Sequence, residues 1–244
     1  MNLPQIDRQS AIPIYYQLKE AIYHKIKTGE WKRGQRVPSL RQLSGELKIS
    51  LMTARQAIKS LVDEKVLAMH KGQGTFILGP KVQENVTTLS SFTAEMLRQG
   101  LTPTSRILSK EILAATSRIC QALELPEGSS VCHIYRLRMA DEFPVGLQHS
   151  YIPVGLCPGL LEKNLTGSLS AILEADFGIH FNHGVQTIRA VQAEMAEAQS
   201  LEVPFKAPVL RMERVSYARH NQPCEYLISI YRGDRYHFTV EMHP

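Results

Sequence analysis

The chain has 244 residues, of which 43% are apolar, and a formal charge of +5. That is enough apolar material for two packed cores, yet no run of 18 apolar residues is present to span a bilayer. Four scattered cysteines, Cys120, Cys132, Cys157 and Cys224, form no CxxC pair. They exclude a zinc knuckle or a disulfide framework and read as buried thiols. The start MNLPQIDRQSAIP lacks the basic-then-apolar pattern of a secretory leader, so the expected compartment is the reducing cytoplasm. Charge is uneven. Residues 1–80 hold 13 Lys and Arg against 6 Asp and Glu, net +7, and residues 81–244 hold 15 against 17, net −2. The basic excess lies wholly in the N-terminal third, as expected of a segment that meets a polyanion with salt-sensitive affinity.

In chain order, Ile14, Leu18, Ile22 and Ile26 recur every four residues and predict a helix that ends at Gly29. Ser39 with Gln42 three residues on makes a capping box for a second helix, carrying Leu40, Leu43 and Leu47. Lys48 to Ser50 is the turn, and Ser50 caps a third helix whose inward stripe is Ala54, Ala57, Ile58 and Leu61. Leu51, Met52, Arg55 and Lys59 project from another side, flanked by Gln56. Residues 66–70 and 75–78 read as strands joined by Lys71-Gly72-Gln73-Gly74, where glycine permits a tight turn and close approach to phosphate. Helix, turn, helix and basic hairpin, in that order, is a device for reading double-stranded DNA.

The segments PIYYQLKEAIYHKIKTGEWKRGQRVPSLRQLS, ISLMTARQAIKSLV and KGQGTFI resemble the winged-helix domain of GntR-type bacterial transcription regulators. The resemblance implies DNA contacts from Arg41, Thr53, Arg55, Lys71 and Gly72. Ser50, Gln56, Lys59 and Gln73 complete the expected surface. Where that family usually has arginine or another polar residue, this chain has Leu51. A leucine can pack on a thymine methyl but cannot donate to a base.

Residues 1–78 thus read as the DNA-binding domain, 79–90 as a polar linker broken by Gly79-Pro80, and 91–244 as a second, α+β domain. Helices are expected over 92–99, 116–123, 168–175 and 194–201. Strands are expected over 105–113, 131–139, 145–152, 184–193, 209–218, 225–232 and 236–242. Consecutive hairpins favour a mostly antiparallel sheet with helices packed on it. Alternation sets Arg136 and Arg138 on one strand face, and Glu225, Ser229 and Tyr231 on another. Paired arginines are costly on a strand unless they face solvent or bind an anion. The helix starts at Ser91-Phe92-Thr93 and Ser168 add N–H donors suited to an anion.

The segments SFTAEMLRQGLTPTS, VCHIYRLRMADEFPVGLQHSYIP, SLSAILEADFGI and EYLISIYRGDRYHFTVEM resemble UTRA, the effector domain of the HutC branch of GntR regulators, whose fold is like chorismate lyase. The resemblance implies that Ser91, Phe92, Thr93, Arg136, Arg138 and Ser168 hold a phosphate, and that Glu225 and Tyr231 contact the rest of the ligand. A family glutamate is Gln148 here and a frequent tyrosine is Ser170, so the anion end is kept while the discriminating end differs. The resulting expectation is a homodimeric repressor that binds an inverted-repeat operator and is released by a small anionic effector, a sugar phosphate among the candidates. No cofactor and no metal is expected. The weighed alternatives are an enzyme of chorismate-lyase-like fold and an effector-independent DNA binder. Against an enzyme, the chain has no P-loop, nucleophile elbow or GxGxxG. His133 falls opposite the arginine face, and His180 and His183 read as loop residues.

Overall fold

The computed structural model describes residues 6–242 except Arg33, Lys71, Gln73, Pro80 and Val86. Contacts divide the chain into two units, Met1–Pro80 and Lys81–Pro244.

The first unit is built from α1 (Ile14–Lys27), α2 (Leu40–Leu47), α3 (Leu51–Asp63), β1 (Leu67–His70) and β2 (Gly74–Ile77). The capping box of α2 is present: Ser39 Oγ accepts from Gln42 N at 3.2 Å, and Gln42 Oε1 accepts from Ser39 N at 2.9 Å. Lys48, in a left-handed conformation at φ 52°, ends α2. Ser50 then accepts from Thr53 N at 3.0 Å and starts α3. Leu18, Ile22, Trp31, Leu43, Ala57 and Leu61 meet in one core. Each buried leucine there contributes roughly 1.5–3 kcal/mol. β1 and β2 pair antiparallel from Leu67↔Ile77 to His70↔Gly74. Gly74 sits at φ 118°, a backbone conformation that strains any residue with a side chain, so glycine is favoured where the hairpin passes Arg36.

The second unit holds β3 (Val82–Asn85), α4 (Phe92–Arg98), β4 (Pro103–Ala114), α5 (Ser117–Leu123), β5 (Ser130–Ala140), β6 (Phe143–Pro153), α6 (Leu169–Phe177), β7 (His183–Gln192), α7 (Met195–Leu201), β8 (Pro208–Tyr217), β9 (Pro223–Arg232) and β10 (Tyr236–Thr239). Six strands form one antiparallel sheet in the order β4-β5-β6-β9-β8-β7. The expected β5–β6 hairpin is present, turning on Asp141 and Glu142, both with positive φ, as a two-residue hairpin turn requires. On one sheet face, Ile134, Ile152, Leu169 and Leu173 pack at one end. At the other end, Phe92, Met96, Val145, Tyr231 and Tyr236 pack together. The polar strand residues between these two clusters build the pocket described below. The opposite face is covered by α5 and α7.

Two expectations are corrected. The stretch 79–90 is not wholly linker: Val82–Asn85 is a strand, with Val82 and Glu84 inward. Its partner is β10, which stops at Thr239 and leaves the main sheet to pair with β3 in parallel, from Tyr236↔Val82 to Thr239↔Asn85. Four residues, VQEN, carry too little alternation to stand out, and their partner lies at the far end of the chain.

Candidate functional site

α3 presents Leu51, Met52, Arg55, Gln56 and Lys59 outward while Ala54, Ala57, Ile58 and Leu61 are buried. Leu51 is 42% exposed and Met52 beside it 66%. Arg41 on α2 and Gly72 in the β1–β2 turn are also exposed. No hydrogen bond or ion pair among the described residues ties Arg41, Arg55 or Lys59, so three cations on these helices stand free to meet phosphate or base edges. Ser50 and Thr53 are engaged locally, their hydroxyls 2.8 Å apart at the helix start. Lys71 and Gln73 lie outside the described residues.

In the second unit a cavity opens on the sheet face between α4 and α6. It is lined by Ser91, Phe92 and Thr93, by Arg136 and Arg138, by Gln148, and by Ser168, Ser170 and Glu225. Tyr231 stands behind this lining, its hydroxyl accepting from Gln148 Nε2 at 2.9 Å. The fold brings these residues together by strand register. Arg136↔Gln148↔Ser229 form one row across β5, β6 and β9, and Arg138↔Gly146↔Tyr231 the next. Gly146 is required there, because any Cβ would collide with the Tyr231 ring.

Both arginines are buried, 3% and 2% exposed. The guanidinium of Arg138 lies 4.3 Å from the Phe92 ring centre and donates to Thr93 Oγ1 at 3.2 Å. Its Nε and Nη1 have no partner. Arg136 donates weakly to the Leu165 and Gly167 carbonyls at 3.4 and 3.3 Å, and its Nε is unpaired. Burial lowers Arg136 to a pKa of about 10. Burial and then the charge of Arg136 lower Arg138 to about 9. A buried ion that is incompletely paired costs several kcal/mol even after relaxation. The Glu225 carboxylate in the same lining offsets part of that cost for Arg136, and the unpaired N–H groups of the two arginines leave capacity for an anion. Ser91 and Ser168 cap α4 and α6 by accepting from Ala94 N at 3.1 Å and Ala171 N at 3.3 Å. Both caps are cavity wall.

Ser150, Leu169, Arg214 and Leu227 also line the cavity and escaped the sequence reading. Arg214 on β8 pairs with Glu225 at 3.6 Å, and its Nε is unpaired. Alternation alone could place Arg214 on a face but not beside Glu225, since that needs the β8–β9 register. The space between these side chains, partly open to solvent, is about 30 Å³, room for little more than one water. A larger cleft of about 640 Å³ lies elsewhere, lined by Leu123, Glu124, Pro153 and His220 among others. It gathers no buried unpaired cation, so chemistry rather than size selects the arginine pocket.

His133 and His149 do meet, ring nitrogens 3.1 Å apart, on the sheet face opposite the arginines. Burial and the neighbouring His133 hold His149 down at about 4. The four cysteines are buried free thiols. Among the described residues no group of three His, Cys, Asp or Glu could hold a metal, and no helix is long and apolar enough to cross a membrane.

Residues 14–77 match the family described as bacterial regulatory proteins, gntR family. Residues 98–237 match the UTRA domain. The chain belongs to the GntR family, in its UTRA-bearing branch. The HTH-type transcriptional repressor NagR of Bacillus subtilis (strain 168) is 36% identical over 97% of this chain and 98% of its own length. The histidine utilization repressor of Klebsiella aerogenes is 28% identical over 88% of each chain. The crystal structure of PhnF from Mycobacterium smegmatis superposes with a TM-score of 0.67 at 26% identity, covering 92% of this chain and 98% of that one. As a GntR regulator the chain is a DNA-binding transcription factor, and its six-stranded antiparallel unit is the UTRA domain.

Proposed function

We propose that this GntR regulator is a homodimeric repressor, released from an inverted-repeat operator when a small phosphomonoester enters the arginine pocket of its UTRA domain. The observation that carries the reading is the pair Arg136 and Arg138: buried, adjacent, and with N–H groups unpaired beside two capped helix starts. That arrangement suits a tetrahedral anion with several acceptor oxygens. Relatives are named as repressors of sugar and of histidine utilisation, so the names alone do not choose an effector class. The buried arginine pair supports an anionic one.

DNA contact is assigned to Arg41, Ser50, Leu51, Thr53, Arg55, Gln56, Lys59, Lys71, Gly72 and Gln73. Effector contact is assigned to Ser91, Phe92, Thr93, Arg136, Arg138, Gln148, Ser168, Ser170 and Glu225, with Tyr231 holding Gln148. The roughly 30 Å³ of space is small for a sugar phosphate, so entry is expected to shift the α4 start, where the Phe92 ring lies against the Arg138 guanidinium. A ligand that binds only the opened form shifts the population toward it. An effector-independent DNA binder would leave the cost of two buried, underpaired guanidinium groups without a cause. The relatives named as transcriptional repressors speak for regulation rather than turnover.

A panel of hexose 6-phosphates, the matching free sugars and simple carboxylates, each added to the purified protein in thermal unfolding, tests the reading. Stabilisation by phosphomonoesters that is lost in Arg136→Ala is expected. Equal stabilisation by free sugars and their phosphates would refute an anion pocket.

A further inference from the structure

The segment before α1 is tied down by contacts that the DNA surface described above does not use. Ile6 packs on the core of the first unit. Gln17 of α1 clasps the residues that follow. Its Oε1 accepts from Asp7 N at 2.9 Å, and its Nε2 donates to Asp7 O at 2.9 Å and to Ile12 O at 2.7 Å. The Asp7 carboxylate accepts from Gln9 N at 2.9 Å, and Ser10 Oγ from Ile12 N at 3.2 Å. Between these ties stands Arg8, whose partners lie some forty positions along the chain. Its Nη2 donates to Lys48 O at 2.6 Å and to Leu47 O at 3.3 Å. Carbonyls at the end of a helix lack a further turn to supply an N–H, and a cation suits the negative end of the helix dipole. The same carbonyls open the turn into α3. Lys48 holds φ 52° and ψ 43° there, a left-handed conformation unfavourable for a residue with a side chain.

We propose that Arg8 is a positioning residue for DNA reading: by holding the Leu47 and Lys48 carbonyls it keeps the turn left-handed and fixes the angle at which α3 leaves α2. The proposal rests on the assignment of α3 as the reading helix and adds a part of the chain outside the two helices and the hairpin. A reading helix that is loose before contact has to be ordered on binding, at a cost in affinity. Local bonds tie the turn back to α2 alone: Ile49 N donates to Ser44 O at 3.1 Å, and Ile49 O accepts from Ser44 Oγ at 2.7 Å. Arg8 ties it instead to the N-terminal segment and, through Gln17, to α1, which packs against α3. Turn, N-terminal segment, α1 and α3 thereby close a ring. Arg8 is exposed, and an exposed arginine beside a reading helix has a second use, direct contact with a phosphate. The two roles leave different marks, because a clamp acts through Lys48 and a phosphate contact does not.

A double-mutant cycle on the full chain tests this, with Arg8→Ala and Lys48→Gly singly and together. The probe is a duplex selected by the wild type from a random pool, and affinity is read by fluorescence anisotropy over a range of salt concentrations. Arg8→Ala is expected to weaken binding about 3- to 10-fold, as the loss of a hydrogen-bonded clamp does. Its plot of log affinity against log salt should keep the wild-type slope, whereas loss of a phosphate contact would reduce that slope by about 0.9. In the Lys48→Gly background Arg8→Ala is expected to cost less than about 2-fold, because glycine adopts the left-handed conformation unaided. Amide exchange in the free protein gives a reading that needs no operator: Ile49 and Thr53 should exchange faster in Arg8→Ala, with α1 still protected. Wild-type exchange at both amides would overturn the clamp. So would an affinity loss undiminished by Lys48→Gly and accompanied by the smaller slope, which would make Arg8 a phosphate contact. Failure of the wild type to select any duplex would count against the assignment of α3 as the reading helix, and the exchange measurement would still decide the clamp.

Discussion

At the scale of single residues, the proposed reading of DNA rests on Arg55 and Leu51. They lie one helical turn apart on the exposed side of α3. Arg55→Ala is expected to cost about 1–3 kcal/mol of specific operator affinity with the fold intact. Leu51→Arg is expected to move the preferred operator toward guanine at one position per half-site. Binding-site selection with both variants checks this, and an unchanged consensus for Leu51→Arg would remove that residue from the base-reading set. Arg138 carries a pH prediction. Phosphomonoesters gain their second negative charge near pH 6, and Arg138 in the free protein loses its charge above about 9. Calorimetric affinity for a hexose 6-phosphate should therefore be greatest between these limits and fall on both sides. A profile flat from about pH 7 to about pH 10 would contradict a role for this lowered guanidinium. Much at this scale was legible beforehand. The pair Arg136 and Arg138 follows from two-residue alternation, and the helix starts at Ser91 and Ser168 from capping chemistry. Arg214 was not, because nothing local in LRMERVSY says that it meets Glu225, which lies diagonally across on β9.

Among elements, β3 and α4 connect the pocket to the start of the UTRA unit. Gln148 in the pocket wall donates to Tyr231, and the Tyr231 ring stacks on Tyr236 at 3.8 Å. The Tyr236 hydroxyl bonds Glu84 on β3. Burial pushes the Glu84 carboxyl above its ordinary range. A second tie runs from α4, where Gln99 Oε1 accepts from Gln83 N at 3.0 Å and its amide returns to Gln83 O. Both ties end on four residues that begin just after Lys81. Tyr236→Phe keeps the stack but leaves Glu84 buried without its partner, a local cost of about 1–3 kcal/mol. Amide hydrogen exchange across Val82–Asn85 should accelerate in this variant while β5 and β6 stay protected. Unchanged exchange there would mean that the hydroxyl does not hold β3. The helices and hairpins of the sequence reading match the observed elements within a few residues, since caps and alternation are local signals. β3 was read as linker and β10 as a longer closing strand of the main sheet, because the two partners lie about 150 residues apart and no local pattern joins them.

For the whole molecule, the proposal divides binding from sensing between a basic unit with an exposed helical face and an acidic unit with a narrow arginine pocket. Charge asymmetry along the chain pointed to that division directly, whereas the narrowness of the pocket depends on side-chain packing that no sequence pattern encodes. The central claim is that filling the pocket weakens DNA binding. It is tested by measuring operator affinity of the wild type and of Arg138→Ala as the stabilising phosphomonoester is titrated in. The account predicts equal affinity without ligand, and on saturation a loss for the wild type alone of roughly 5- to 150-fold, the usual range of allosteric coupling. If Arg138→Ala were released at the same ligand concentrations and to the same extent, the anion site would lie elsewhere and the account would be contradicted.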